Sequence, residues 1–334
     1  FSLSDVPLKN RLLVPLYIRV GTSIGYNDNV FKFSESEKSN SSSFDYMGMN
    51  STYDSSIIKP EVKISYSPKL FSKGISNFIV FLSSSNYPNI VDKNNFYSSI
   101  RFEYKIGPYN WFKVGYKNST NNFLRYYVDD DIPGEEYLKC NYDSESTFVS
   151  YSANFNDYGW GRITLSKGSQ LFNPHFTEFD LDISSISFKH YFRIKNFNVN
   201  FLISKIEADN TSFTNGLNST AFDRSYNSSA FSLKISKKID RYIDKISMVY
   251  GLDNRFYLSE KISDPLHSGR SHLESFFSLS LLKELRNDTQ IELKYKVRHR
   301  QTKSEFDWVE SLKTFYDNQF MVKIMYDIDI DWFY

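Results

Sequence analysis

The chain predicts an all-β fold, a transmembrane antiparallel up-and-down β-barrel of about fourteen strands. Three observations carry that expectation. Apolar residues recur at every second position along the chain, the connections between these runs alternate long and short, and the composition suits neither a soluble core nor a helical membrane protein. Aromatic residues make up 18% of the 334, led by 30 Phe and 25 Tyr, yet the mean hydropathy is −0.46. A barrel with an apolar exterior and a polar lumen reconciles those two properties. No run approaches the ~18 consecutive apolar residues that a membrane helix needs.

Period-2 alternation marks the strands, because successive side chains of a strand point to opposite faces. Leu16, Ile18, Val20, Thr22 and Ile24 alternate with Tyr17, Arg19, Gly21 and Ser23. Ile58, Val62, Ile64 and Tyr66 alternate with Lys59, Glu61, Lys63 and Ser65, and Ile100, Phe102, Tyr104 and Ile106 with Arg101, Glu103 and Lys105. Ile291, Leu293, Tyr295 and Val297 oppose Glu292, Lys294, Lys296 and Arg298. The clearest run is the last, Phe320, Val322, Ile324, Tyr326, Ile328, Ile330, Trp332 and Tyr334. The helix-like stretch 280–287 reads as a strand end, since Leu273, Ser275, Phe277, Leu279 and Leu281 alternate into it.

Short breaks fall near 67–76, 107–110, 155–159, 195–196, 238–242 and 286–288. Long polar ones fall near 27–56, 86–95, 121–140, 173–177, 209–220, 259–270 and 303–313, the first and third being the longest expected. Six short and seven long connections in strict alternation require fourteen strands with both termini on the short-turn side. A soluble sandwich or propeller would have shorter strands and a polar outer face, or a blade-length repeat. One barrel domain therefore covers 1–334, with 1–13 a leading segment and 14–334 the barrel. One parity conflict stands out: Phe179, Leu181 and Ile183 hold one parity, and Ile186, Phe188, Phe192 and Ile194 the other. A bulge near Ser184–Ser185 would reconcile them.

Lys plus Arg number 40 against 39 Asp plus Glu, so no basic stripe of the kind nucleic acid selects is present. The single cysteine, Cys140, excludes an internal disulfide and a cysteine-based zinc site. The start, Phe1-Ser2-Leu3, lacks a signal-peptide pattern, so the chain reads as the mature form of an exported protein.

The C-terminal run 326–334 resembles the terminal strand of Gram-negative outer-membrane β-barrel proteins. Tyr326, Ile328, Ile330, Trp332 and Tyr334 stand where the barrel-assembly machinery reads that family. The segment Gly25-Tyr-Asn-Asp-Asn29 looks like the opening of porins and exopolysaccharide-export barrels. The resemblance implies an outer-membrane location, periplasmic termini, and contact with outer-membrane lipid and lipopolysaccharide. It also leaves room for a homo-oligomer or a companion membrane protein, and it implies no cofactor and no metal.

Three functional readings follow: a passive channel for small polar or anionic solutes, a scaffold plugged by its loops or by a partner, and an outer-membrane hydrolase. The hydrolase reading rests on His267, Ser268 and His272, which resemble an outer-membrane phospholipase segment. Ser268 adjoins His267 and would point away from it, and the family's Asn is missing. The other histidines, His175, His190 and His299, lie apart in sequence. The acidic run 129–131 with Glu135 and Glu136 lacks calcium-loop spacing and reads as solvated loop. Tyr66, Tyr87, Trp111, Tyr116, Trp160, Tyr191, Tyr250 and Trp332 are expected in interfacial girdles, with a sugar-stacking track in the lumen as the alternative. By parity Arg101, Glu103, Lys105, Arg162 and Arg193 line the pore and set selectivity. Lys294, Lys296 and Arg298 are expected to pair with Asp327 and Asp329 and so brace the wall.

Overall fold

A computed structural model describes residues 16–330, apart from 40–46, 49, 51, 69–74, 108–109, 130–136, 156–157, 213–221, 240–241, 261–262 and 287. For Arg286, Asp329 and Ile330 it describes the backbone alone. The strands are β1 (Leu16–Asn27), β2 (Ser55–Tyr66), β3 (Ile75–Ser85), β4 (Asn95–Gly107), β5 (Asn110–Val128), β6 (Tyr137–Asn154) and β7 (Trp160–Phe172). They continue with β8 (Leu181–Ile194), β9 (Phe197–Asn210), β10 (Tyr226–Lys238), β11 (Lys245–Tyr257), β12 (Ser271–Arg286), β13 (Thr289–Lys303) and β14 (Phe315–Ile330). Each pairs antiparallel with its sequence neighbours, and β1 closes on β14 to give a fourteen-strand barrel. Closure leaves no unpaired edge, as a spanning sheet in hydrocarbon requires.

The alternation sorts as expected around most of the wall. Ile24, Ile100, Ile163, Ile186, Ile203, Phe231, Phe277 and Ile324 are exposed on the outside. Arg19, Lys63, Glu103, Lys113 and Lys323 hold the opposite parity and face one another across the lumen side. The helix-like stretch is indeed a strand end, since β12 runs through it to Arg286.

Two expectations about the wall are corrected. First, 121–140 is not mainly loop: β5 and β6 run 19 and 18 residues, well past the ~9–11 a spanning strand needs. The register shifts between Ser119 and Asn122 and again between Phe123 and Arg125 absorb the irregular sequence. Asn121 takes the left-handed conformation there, with φ 55°. Second, no bulge interrupts β8: Ile183, Ser184, Ser185 and Ile186 pair in regular succession with Gly168, Lys167, Ser166 and Leu165. The conflict resolves differently. At the loop end Asp182 and Ser184 face outward, while Leu181 packs inward with Ala208 and Tyr226, flanked by Ile183, Ile206 and Tyr257. At this end the outward positions of β8 are polar and Leu181 packs on the inside, so the two sets exchange faces without a change of register.

Of the expected girdle aromatics, Tyr66, Tyr116 and Tyr250 are outside and exposed. Trp111, Trp160 and Tyr191 are corrected to the lumen. Trp111 lies under the ammonium groups of Lys105 and Lys113, and Trp160 stacks on Tyr191 at 5.8 Å. They share parity with Lys113, Arg162 and Arg193, which places them inside. Tyr87 packs under the loops against a buried cluster. Trp332 and Tyr334 of the terminal run, and residues 1–13, lie outside the described residues.

The turn between β6 and β7 depends on Gly159, whose φ is +90°. A Cβ there would stand 1.9 Å from the Tyr191 carbonyl oxygen. Gly159→Ala is expected to destabilise the barrel by about 1–3 kcal/mol or more, from backbone strain and the clash together. Urea unfolding of the detergent-refolded protein, followed by tryptophan fluorescence, checks this; an unchanged midpoint would contradict it.

Candidate functional site: a basic cavity under the loops

The long connections fold over the mouth. In the first, Asn29 donates to the carbonyls of Phe33 and Tyr316 and accepts from the Phe33 amide, which pins the loop to the wall. Val30, Phe31, Phe33 and Met47 bury together with Ile90 of the second loop and Phe123 of β5. The short helix α1 (Glu35–Ser39) opens with a reciprocal cap, in which Glu37 accepts from the Ser34 amide and Ser34 accepts from the Glu37 amide. Glu37 is 5% exposed and also pairs with Arg125 of β5 at 2.6 Å, which ties the loop across the lumen. In the last loop, helix α2 (Asp307–Lys313) is seated by fully buried Val309.

Beneath these loops lies a cavity of about 350 Å³. Its lining includes Lys32, Lys93, Arg125, Arg224, Arg255, Arg270, Arg300 and Lys313, and no Asp or Glu among the described residues. Aromatic rings hold the guanidinium groups in place: Arg270 lies 3.9 Å over Tyr257, Arg255 4.2 Å over Tyr226, Arg224 4.6 Å over Phe179, and Arg300 4.8 Å over Phe315. Stacking fixes a guanidinium plane and leaves its N–H edge free for an oxygen acceptor. Three of the eight cations have carboxylates behind them: Arg125 with Glu37, Arg300 with Glu274 at 2.7 Å, and Arg255 with Asp253 at 3.9 Å. Two like charges ~8 Å apart repel by about 2 kcal/mol at an effective dielectric near 20, so the excess holds a standing positive potential. The lysines register it. Burial, Lys32 and Arg125 push Lys93 down to about 7. Burial, Arg298 and Arg300 push Lys32 down to about 8. Lys313 falls well below an ordinary lysine, through burial beside Arg125 and Arg270.

The residues singled out by parity fall elsewhere. Glu103, 7% exposed, takes both Arg101 at 2.9 Å and Lys113 at 2.7 Å, so Arg101 braces the wall. Arg162 donates to Ser152 and stacks on Trp160, while Arg193 donates to the Lys195 carbonyl beside a short turn. Lys105 sits over Trp111. The pairing expected between β13 and Asp327 is corrected. Lys294 stands opposite Met321, and β13 ends with Thr289 opposite Tyr326, so Asp327 lies beyond its reach. Asp327 instead meets Arg19 across the β1–β14 seam at 2.5 Å and accepts from Tyr17 at 2.6 Å. Arg298 pairs with Glu274 and Asp317, and Lys296 lies over Phe276. The side chain of Asp329 is outside the described residues.

Paired charges thus lie on the β14–β5 side of the lumen and, nearer the loops, on β11–β13, where Arg255 meets Asp253 and Arg298 and Arg300 meet Glu274. On the β7–β13 side, Arg162, Lys189, Lys234, Lys294 and Lys296 have no ion pair among the described residues. In the histidine segment, the His267 ring nitrogen Nδ1 bonds Asp264 at 2.9 Å, and burial lowers that imidazole to about 4. His272 bonds Thr302 at 2.8 Å. No serine hydroxyl among the described residues bonds His267. Of the acidic run, Asp129 pairs with His175 at 3.1 Å; residues 130–136 lie outside the described residues.

No family model and no curated protein matches the chain. Solved structures do. A loop-L8 deletion mutant of OmpT, an outer membrane protein of Vibrio cholerae, is 10% identical, with 94% of this chain and 99% of that chain covered and a TM-score of 0.49. The outer membrane channel DcaP of Acinetobacter baumannii is 10% identical over 94% of this chain and 97% of its own, TM-score 0.48. An anion-selective porin from Comamonas acidovorans is 9% identical over 94% and 99%, TM-score 0.43.

Proposed function

We propose that this chain is a passive, anion-selective channel of a bacterial outer membrane, with its short turns and both termini on the periplasmic side. The observation that carries the reading is the cavity at the loop end, lined by eight basic residues and, among the described residues, no carboxylate. The band of apolar residues on the outside supports the membrane location. Exposed Asp182, Lys205 and Glu207 at the loop ends of β8 and β9 then lie at the level of lipid headgroups, where lipopolysaccharide is the natural neighbour. An anion entering from the loop side meets the cavity first. It then descends along Lys294, Lys296, Lys234, Lys189 and Arg162, beside Glu292, while on the opposite wall Asp327, Glu61 and Glu103 hold Arg19, Lys323, Arg101 and Lys113 in ion pairs. Trp111 and Trp160 border the short-turn end of that route, and Tyr326 and Ile328 supply the described part of the assembly signal.

Reversal potentials in planar bilayers test this. Wild type is expected to prefer chloride over potassium, and a variant carrying Arg224→Glu and Arg270→Glu to lose or invert that preference, since rings of charge set selectivity at close quarters. A cation preference in wild type would refute the reading. Absence of current in wild type would favour the plugged scaffold, to which the buried aromatic cluster at the mouth lends itself.

A further inference from the structure

The cavity carries more charge than a general anion path requires. Lys32, Lys93, Arg224, Arg270 and Lys313 line it without an ion pair among the described residues. Arg270 is 5% exposed, yet its Nε makes no hydrogen bond there, and neither does the buried Nη1 of Arg224. A buried polar hydrogen without an acceptor is costly, and more so on a charged group. A fold that stacks these guanidinium groups on rings and leaves these two donors unused is prepared for an acceptor from outside.

The directions of approach limit its chemistry. Lys32 comes from the first loop, Lys93 from the second, Arg224 from the segment before β10, Arg270 from the loop before β12, and Lys313 from α2. Donors converge from all around the cavity. A single carboxylate presents two oxygens in one plane, whereas a tetrahedral oxoanion presents oxygens in every direction and carries enough charge to answer several cations. We propose that the cavity is a saturable binding site for a multiply charged oxoanion, a phosphate or sulfate group, free or carried on a small organic molecule. The proposal shares with the channel reading the idea that anions enter this cavity, but it concerns binding and holds whether or not the barrel conducts.

Calorimetric titration of the detergent-purified protein at fixed ionic strength tests it, with sodium sulfate, glucose 6-phosphate and glucose as probes in chloride buffer. Saturable heat is expected from sulfate or glucose 6-phosphate and none from glucose. A tighter sulfate isotherm identifies the free ion as the ligand, and a tighter glucose 6-phosphate isotherm the carried group. Each charge-assisted bond lost should weaken binding by about tenfold or more, so Arg270→Met and Lys32→Met should both do so. Lys32→Met also separates ligand binding from a structural role. It removes a cation crowded by Arg298 and Arg300, so it should raise the melting temperature in sulfate-free buffer while weakening the sulfate response. If Arg270→Met fails to fold, Lys32→Met decides. The proposal is overturned if neither oxoanion gives saturable heat, if both variants bind as wild type, or if the outward-facing Lys205→Gln weakens binding equally. Intact binding without bilayer current refutes the channel alone.

Discussion

Replacing Glu37 by Gln is expected to undock the first loop and raise single-channel conductance. Glu37 is buried and pairs with Arg125 at 2.6 Å, and it also closes the cap of α1 by accepting from the Ser34 amide. Gln keeps the shape and one acceptor but removes the charge. Arg125 is then left in a cavity it shares with Lys93 and Lys313. Taking one charged partner out of a buried pair costs about 3–5 kcal/mol. A loop held over the mouth by a few kcal/mol shifts its open-to-closed ratio by about a hundredfold or more when that much is withdrawn. Conductance should therefore rise, anion preference should sharpen, and protease should cut the first loop faster in the variant than in wild type. Unchanged conductance together with unchanged proteolysis would show that the aromatic cluster alone holds the loop.

The barrel was largely legible in the sequence and the cavity largely was not, for one physical reason. Lipid imposes an apolar outside at every second position, so β1, β4, β13 and β14 can be read off parity alone. Inside the upper lumen no such rule acts. Lys32, Lys93, Arg224, Arg270 and Lys313 lie on connections, where parity has no meaning. Arg125 lies on a strand but beyond two register shifts, so its facing cannot be counted from Trp111. Arg255 and Arg300 were within reach, since they continue the inward parity of Asp253 and Arg298. The signal that could have found them is an arginine one step from an aromatic on the same strand face, as Arg255 is from Tyr257. The ion-pair expectation failed on offset rather than on facing. Parity says that Lys294 and Asp327 both point inward, but not that β14 outruns β13 at the turn end and delivers Asp327 to Arg19.

Sulfate binding is expected to weaken as pH rises from 7 to 9, while the sulfate-free protein becomes more stable over the same range. Lys93 lies over the rings of Phe31 and Phe123, donates to the Phe123 carbonyl at 2.8 Å, and feels Lys32 and Arg125 as like charges. Its nearest carboxylate in sequence, Asp92, is taken by Lys139, Tyr126 and Asn50. Lys32 lies by Phe315 and feels Arg298 and Arg300 against Glu274 and Asp317. Lys93 is held at about 7 and Lys32 at about 8, both below an unfolded lysine. Between those values and the unfolded lysine range the unfolded state binds more protons, so stability rises with pH in that window. Below about 7 both states are protonated and the folded state bears the full repulsion. An oxoanion needs the charged form of each lysine. Above its pKa, each lysine linked to binding therefore costs about tenfold in affinity per pH unit. Sulfate keeps its charge throughout, so the change belongs to the protein. Melting curves with and without sulfate at matched ionic strength should converge as pH climbs: the sulfate-free curve rises, while the sulfate curve stays flat because each lysine is protonated both in the complex and in the unfolded chain. Parallel curves would mean that Lys93 and Lys32 do not face the ligand. In Lys93→Met the convergence should shift upward.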